Sequence, residues 1–266
     1  MNHYQLLDSG DGSKWERFGP HTLMRPCSQA VWRPSSKPPT DAQFNRDEKW
    51  AFQKKLPKSW TVVHGGVEFQ IAPTDFGHLG LFPEHADLWE SMRPLIQKGS
   101  RILNLFAYSG GVTLAAAQQG AEVCHLDASK GMVDWARENA ALNKLQNAPI
   151  RWIVDDALKF LKREKKRESF YDGIILDPPT FGRGSQGEVF KIEQDIIPLL
   201  QLCRELLTKS PRFVIFSCHT PGFTPLCMHH LLSQTMPKGH IEAGEMSPHS
   251  PGALSIPSGS FAKWTP

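Results

Sequence analysis

Acidic residues close several short apolar runs in the second half of this chain, and their neighbours narrow what they can do. Asp127 closes Val123-Cys124-His125-Leu126, Asp155 and Asp156 follow Ile153-Val154, and Asp177 follows Ile174-Ile175-Leu176. A carboxylate at the end of a buried strand can accept both hydroxyls of a ribose, or an amino group, in charge-assisted hydrogen bonds. It can equally cap the helix that follows. Asp177 continues into Pro178-Pro179-Thr180-Phe181. Two prolines remove two backbone donors and fix φ, so the chain leaves in a stiff direction with the Asp177 carboxylate and nearby carbonyls at the corner. Cys218, in Phe216-Ser217-Cys218-His219, offers a thiol at the end of another apolar run. A thiolate can add to an electron-poor ring carbon, and His219 is expected to lower the thiol's pKa. The bland alternative is a small buried hydrophobe.

The elements that must position these groups are legible from rhythm. From residue 84 onward apolar strands alternate with helical stretches. Strands are expected at 101–106, 122–127, 150–154, 171–177 and 212–218. Helices are expected at 84–97, 110–119, 129–143, 157–166, 192–207 and 225–236. Gly120 suits a helix C-terminus and Ser129 a helix N-cap. Two closing strands, 240–246 and 260–264, are joined by a loop at 247–259. Short apolar strands separated by helices imply a parallel sheet covered on both faces. The expected class is therefore α/β: a Rossmann-like, mostly parallel seven-stranded sheet with a C-terminal antiparallel hairpin. Residues 1–80 read differently, as short strands broken by Gly, Pro and Asp, forming a small antiparallel β module. Residues 34–49 read as a loop. The predicted division is thus 1–80 and 81–266.

Bulk properties exclude more than they identify. The chain has 266 residues, a formal charge of +3 and five cysteines without a C-x-x-C pair. Neither a disulfide framework nor a metal site follows, and a reducing, cytoplasmic setting is expected. No apolar run approaches the ~20 residues of a membrane span, so no membrane partner is expected. The mild positive charge is compatible with a nucleic acid but does not argue for one.

The turn after the first parallel strand is Phe106-Ala107-Tyr108-Ser109-Gly110-Gly111. A dinucleotide site needs G-x-G-x-x-G there so that bare backbone can approach a pyrophosphate. That cradle is missing, whereas S-adenosylmethionine carries no phosphate. The turn at Phe106, Tyr108, Ser109 and Gly110 can meet its methionine carboxylate with backbone amides, or be only a tight turn. Asp127, with Ala128 and Ser129, fits the ribose. Asp156 and Ala157 fit the adenine, with Asp155 turned to solvent. Asp177 fits the place where the methyl group departs.

Taken in order, Asn104-Leu105-Phe106-Ala107-Tyr108-Ser109-Gly110-Gly111, Asp127-Ala128-Ser129, Asp155-Asp156-Ala157 and Asp177-Pro178-Pro179-Thr180-Phe181-Gly182 resemble the ribosomal RNA large-subunit methyltransferase I family, which methylates cytosine at ring carbon five. The resemblance spans residues 76–264. It implies a class I fold, S-adenosylmethionine as cofactor, an RNA substrate and Cys218 as the nucleophile on carbon six. It also implies that Phe82, in Gly77-His78-Leu79-Gly80-Leu81-Phe82-Pro83-Glu84, contacts the adenosyl group; filling a seam between modules is the alternative. The chain departs from the family in lacking its usual PUA domain, and resembles a branch of bacterial methyltransferases without one. Pro178, Pro179 and Arg183 are the expected substrate contacts, Arg183 as a phosphate ligand on a flexible loop. Lys54, Lys55, Lys58 and Trp60 offer an RNA surface or simply solvent exposure. The basic run Lys159, Lys162, Arg163, Lys165, Lys166 and Arg167 reads as a solvated helix end. Two other functions stay open: an amino methyltransferase using the Asp-Pro-Pro corner, and a non-catalytic RNA-binding protein.

Overall fold

The computed structural model describes every residue except 1, 48, 185, 186 and 249–251. The chain divides into two units, one of residues 1–87 with 247–258 and one of residues 88–246 with 259–266. The loop predicted at 247–259 therefore groups mostly with the first unit; its residues 249–251 lie outside the described ones.

The first unit contains a five-stranded sheet, β1 (Tyr4–Gly10), β2 (Ser13–Phe18), β3 (His21–Pro26), β4 (Ala42–Asn45) and β5 (Lys49–Phe52), in sequential order. A separate hairpin joins β6 (Trp60–His64) to β7 (Val67–Ile71). Two expectations are corrected here. The stretch 34–49 is not all loop, because β4 pairs with β3 through Leu23↔Ala42 and Met24↔Gln43. That pairing is parallel, so the module is mixed rather than purely antiparallel. Trp60 is no free surface ring: its Nε1 donates to the Phe18 carbonyl at 3.0 Å and it meets His21 edge-on.

The second unit is built on a seven-stranded sheet. Its strands are β8 (Arg101–Leu105), β9 (Glu122–Asp127), β10 (Ile150–Val154), β11 (Gly173–Leu176), β14 (Phe213–Cys218), β15 (His240–Glu245) and β16 (Ser260–Thr265), in the order β10-β9-β8-β11-β14-β16-β15. The first five are parallel and the last two close the sheet antiparallel, as the alternation of apolar runs and helices foretold. Two short strands, β12 (Phe181–Arg183) and β13 (Val189–Lys191), form a hairpin where a flexible loop was expected.

The helices are α1 (Ala86–Met92), α2 (Gly111–Gln118), α3 (Lys130–Leu142), α4 (Ala157–Lys166), α5 (Ile192–Glu205) and α6 (Pro225–Thr235). The single helix expected at 84–97 is instead α1 between two 3-10 turns, Pro83–His85 and Arg93–Leu95. Pro94 accounts for the break, since it brings no N–H and disfavours helical geometry in the residue before it.

Strand side chains alternate between the two faces of the sheet. Leu103, Leu105, Cys124, Leu126, Ile174, Leu176, Val214, Phe216 and Cys218 pack in one core cluster with residues of α4, α5 and α6. The intervening Asn104 and His125 meet α2: Asn104 Nδ2 donates to Thr113 Oγ1 at 3.0 Å, and that hydroxyl lies 2.9 Å from His125 Nδ1. Burial holds His125 neutral, with its pKa lowered to about 3.

Candidate functional site

Sheet register decides which strand ends can act together. Leu105 of β8 lies level with Leu126 of β9 on one side and Leu176 of β11 on the other, and Leu176 is level with Phe216 of β14. Asp127, Phe106, Asp177 and Ser217 are each one residue further on, so all four stand at one height on the carboxyl rim. Asp127 and Asp177 belong to strands on either side of β8, about 10 Å apart at ~4.8 Å per strand. The sheet order reverses between β8 and β11, which opens the crevice where ligands of such sheets bind. β8 lies between the strands of Asp127 and Asp177, and its turn occupies the middle.

That turn is built to a fixed shape. Phe106 and Tyr108 both take positive φ, at 56° and 48°. Non-glycine residues hold such angles only when their surroundings compel them. Ala107 N donates to the Leu126 carbonyl at 3.0 Å and Tyr108 N to Asp127 Oδ2 at 2.9 Å. Asn139 of α3 donates to the Ser109 carbonyl at 3.0 Å. Gly110 caps α2 in the left-handed region at φ 94°, and at Gly111 a Cβ would come within 2.6 Å of the Trp89 ring. The adjacent glycines are thus required by backbone geometry and close packing.

Asp127 is the pivot. Its Oδ2 holds Tyr108 N and its Oδ1 holds Ser129 N, both at 2.9 Å. Burial pushes its pKa up, against the pull of those two backbone donors. A carboxylate offers about four lone-pair sites, so two remain for further donors. This donor-poor, partly buried carboxylate fits a diol. Ala128 follows it, and Ser129 caps α3 as expected, accepting from Met132 N.

In the acidic pair after β10, Asp156 takes the cap reading and Asp155 departs from expectation. Asp156 spends one carboxylate oxygen as the N-cap of α4, accepting from Lys159 N at 2.8 Å, with Ala157 opening the helix. Asp155 is not simply turned to water, since it accepts from Asp156 N and pairs with Arg163. The basic helix end is tied down similarly, through Lys165 to Glu205 and Arg167 to Glu164. These pairs agree with a structural helix face.

Asp177 sits at the opposite side of the crevice. Ser217 Oγ donates to its Oδ1 at 3.0 Å, and His219 Nε2 stands 3.7 Å from its Oδ2. Beyond Pro178 and Pro179, Thr180 and Thr220 join hydroxyls at 2.8 Å, lacing the exits of β11 and β14 together. The β12–β13 hairpin follows, with Phe190 packed on Phe106 at 5.2 Å between ring centroids and Arg183 over the Phe181 ring at 5.6 Å. Phe82 lies in the first unit, ahead of the 3-10 turn, beside His78 and His85.

Cys218 does not have the environment expected of it. Its side chain is 1% exposed and belongs to the apolar cluster under α4 to α6. Burial raises its pKa above the usual thiol value, outweighing the hydrogen bond from Thr220 N. The expectation that His219 lowers that pKa is corrected: the neighbouring Asp177 charge raises it further. Ser217, Asn139 and Thr113 were not foreseen. The signal for Ser217 lay in strand period, since it directly precedes Cys218 and is therefore on the other face.

Comparison with known proteins bears on what this rim does. A family of S-adenosylmethionine-dependent methyltransferases matches residues 43–251. The chain belongs to that family. Its cofactor is accordingly S-adenosylmethionine, and the α/β architecture above is that of its structural relatives. A SAM-dependent methyltransferase from Agrobacterium tumefaciens superposes with a TM-score of 0.95 at 37% identity, over 100% of this chain and 91% of the other. A methyltransferase structure complexed with SAH shares the fold at TM-score 0.81 and 20% identity, over 99% and 76%. The ribosomal RNA large subunit methyltransferase K/L of Colwellia psychrerythraea is 32% identical over 188 residues, 69% of this chain. This chain spans only 24% of that relative's length. The relatives matched here carry the name K/L, whereas the motifs resembled the family named I. Among the described residues no helix is long and apolar enough to cross a membrane.

Proposed function

We propose that this methyltransferase acts on RNA, with large-subunit ribosomal RNA as the first candidate, and that its acceptor is a base nitrogen held by Asp177. The relatives named K/L support an RNA substrate. The acceptor assignment rests on one contrast: the Asp177 carboxylate is fixed at the crevice by Ser217, whereas the Cys218 thiol one residue away is turned into the core. Carbon five of cytosine is too weak a nucleophile without a thiolate on carbon six. A thiol whose pKa burial has raised supplies little thiolate at neutral pH. An exocyclic amine needs no such adduct.

In this arrangement Asp127 accepts the ribose hydroxyls, flanked by Ala128 and Ser129. The turn at Phe106, Tyr108, Ser109 and Gly110 receives the methionine end. Asp156 caps α4 with one carboxylate oxygen and offers the other to the adenine amino group, while the backbone of Ala157 meets the ring. The bound cofactor supplies an electrophilic methyl group on a sulfonium. Asp177 accepts a hydrogen bond from the amine and aims its lone pair, Pro178 and Pro179 keep that corner stiff, and Arg183 is available to a phosphate. Rate then comes mainly from alignment.

The test is incubation with radiolabelled S-adenosylmethionine and ribosomal RNA, followed by mass spectrometry of the nucleosides. A nitrogen-methylated nucleoside is expected, with the Cys218→Ala variant still active. Formation of 5-methylcytidine that Cys218→Ala abolishes overturns the acceptor assignment. Label in no RNA overturns the substrate.

A further inference from the structure

The first unit holds a cleft of about 190 Å3 whose lining includes Lys14, Arg25, Phe44, Arg46, Phe76 and His78. Its chemistry is unlike that of a packing defect. Phe76 is 80% exposed, a large ring that burial does not account for. Phe44 forms the opposite kind of wall. Its ring lies so close to Gly77 that a Cβ there would come within 2.5 Å of it. Arg25 belongs to the scaffold, since its guanidinium is committed to both oxygens of the buried Glu16 and to the Gly77 carbonyl. The cleft is therefore preformed.

A row of rings leads out of it. Phe44 is tilted against Trp50 at 5.2 Å, and Trp50 is stacked with Phe52 at 6.2 Å and 24°. The pairing Phe44↔Trp50 and Ala42↔Phe52 puts these rings on one face of β4 and β5. Trp50 Nε1 donates to the Thr74 carbonyl at 2.8 Å, which fixes the middle ring. The row ends on the edge strand of the sheet, where Phe52 is 54% exposed. The same segment is basic: Arg46, Lys49, Lys54, Lys55 and Lys58 stand against Asp47 and Glu48 between residues 44 and 58. Lys54 is engaged with Asp41.

Cations interleaved with rings on a sheet surface are what unpaired nucleotides require, because each base presents a π-face and each linkage a negative charge. A duplex hides its bases and would leave Phe76 and Phe52 unused. An acidic peptide would use the cations and leave the rings idle. We propose that this face of the first unit binds unpaired RNA, with bases stacked on Phe76 and Phe52 and a phosphate held by Arg46. This deepens the substrate reading above and rests on it.

The test uses the full chain and a short fluorescein-labelled single-stranded RNA of mixed sequence, read by anisotropy. Phe52→Ala combined with Phe76→Ala is expected to weaken binding by roughly tenfold or more, the usual scale for lost base stacking. Arg46→Ala is expected to weaken it less and to reduce the salt slope by about one. Both rings are exposed, so thermal unfolding is expected to stay where it is. Equal affinity of the double variant overturns the proposal, as does equal binding of the annealed duplex or equally effective competition by polyglutamate. Label transferred to RNA by wild type, with no binding difference in the double variant, sinks this inference alone. A binding difference with no label in RNA supports this inference and overturns the substrate reading.

Discussion

Replacing Asp127 with asparagine tests the cofactor site with the least change of shape. The carboxylate now accepts one backbone N–H on each oxygen, from Tyr108 and from Ser129. In the proposed site its remaining lone pairs take the two ribose hydroxyls. Asparagine keeps one oxygen and turns an NH2 toward the other set of donors. One hydrogen bond to a charged acceptor is lost at least, at ~1.5–3 kcal/mol, which weakens binding about 10- to 150-fold. Stability responds differently. Facing two donors costs ~1–3 kcal/mol, but the raised pKa says that folding already disfavours the charged carboxylate, and the amide relieves that penalty. The two effects oppose, so the unfolding midpoint is expected to move little while affinity falls. Isothermal titration with S-adenosylmethionine, paired with a thermal melt of the free protein, separates them. Affinity within twofold of wild type would refute the ribose assignment. Weaker binding matched by an equal loss of stability would refute it too, by making the effect structural.

Other outcomes follow from the same geometry. Because burial raises the Asp127 pKa, its neutral form is favoured in the fold; its contribution to stability is full below the unfolded pKa and is lost as pH rises through the folded one. Hydroxyl donors prefer the charged form, so wild-type cofactor affinity is expected to fall as pH drops through that raised pKa, and an equally steep fall in Asp127→Asn would contradict this. Gly111→Ala drives a methyl into the Trp89 ring and is expected to cost ~1–3 kcal/mol, read as a lower midpoint in a melt; an unchanged midpoint would mean the ring yields freely. Ser217→Ala removes the 3.0 Å bond to Asp177 and is expected to lower kcat with cofactor affinity unchanged, checked by single-turnover transfer beside titration. Transfer at the wild-type rate would show that Asp177 needs no such support.

Much of the second unit was legible because it obeys local rules. Parallel strands inside a covered sheet read as apolar runs, so β8, β9, β10, β11 and β14 were found with small errors at their ends. Ser129 at a cap declares itself by residue type. The first unit was less legible for a physical reason. β4 is four residues long and joins β3 in parallel, and a pairing across sequence distance leaves no period in so short a stretch. The β12–β13 hairpin has three residues a side, and its one buried anchor, Phe190, rests on the distant Phe106. Asp155 and Asp156 show the limit at the site itself. Adjacent carboxylates before a helix satisfy both a cap and a ligand pattern, and the hydrogen bond from Lys159 N shows that one oxygen of Asp156 is the cap.

Ser217 and Cys218 show what strand period does to neighbouring residues. A strand of period two turns Ser217 and Cys218 to opposite faces of the sheet. Val214, Phe216 and Cys218 form one set, packed against the helices, and Ser217 belongs to the other. The residue level with Asp177 across β11 and β14 is Ser217, and its hydroxyl is the one that reaches the carboxylate. In the proposed reaction a carboxylate steadied by a hydroxyl holds and aims an amine.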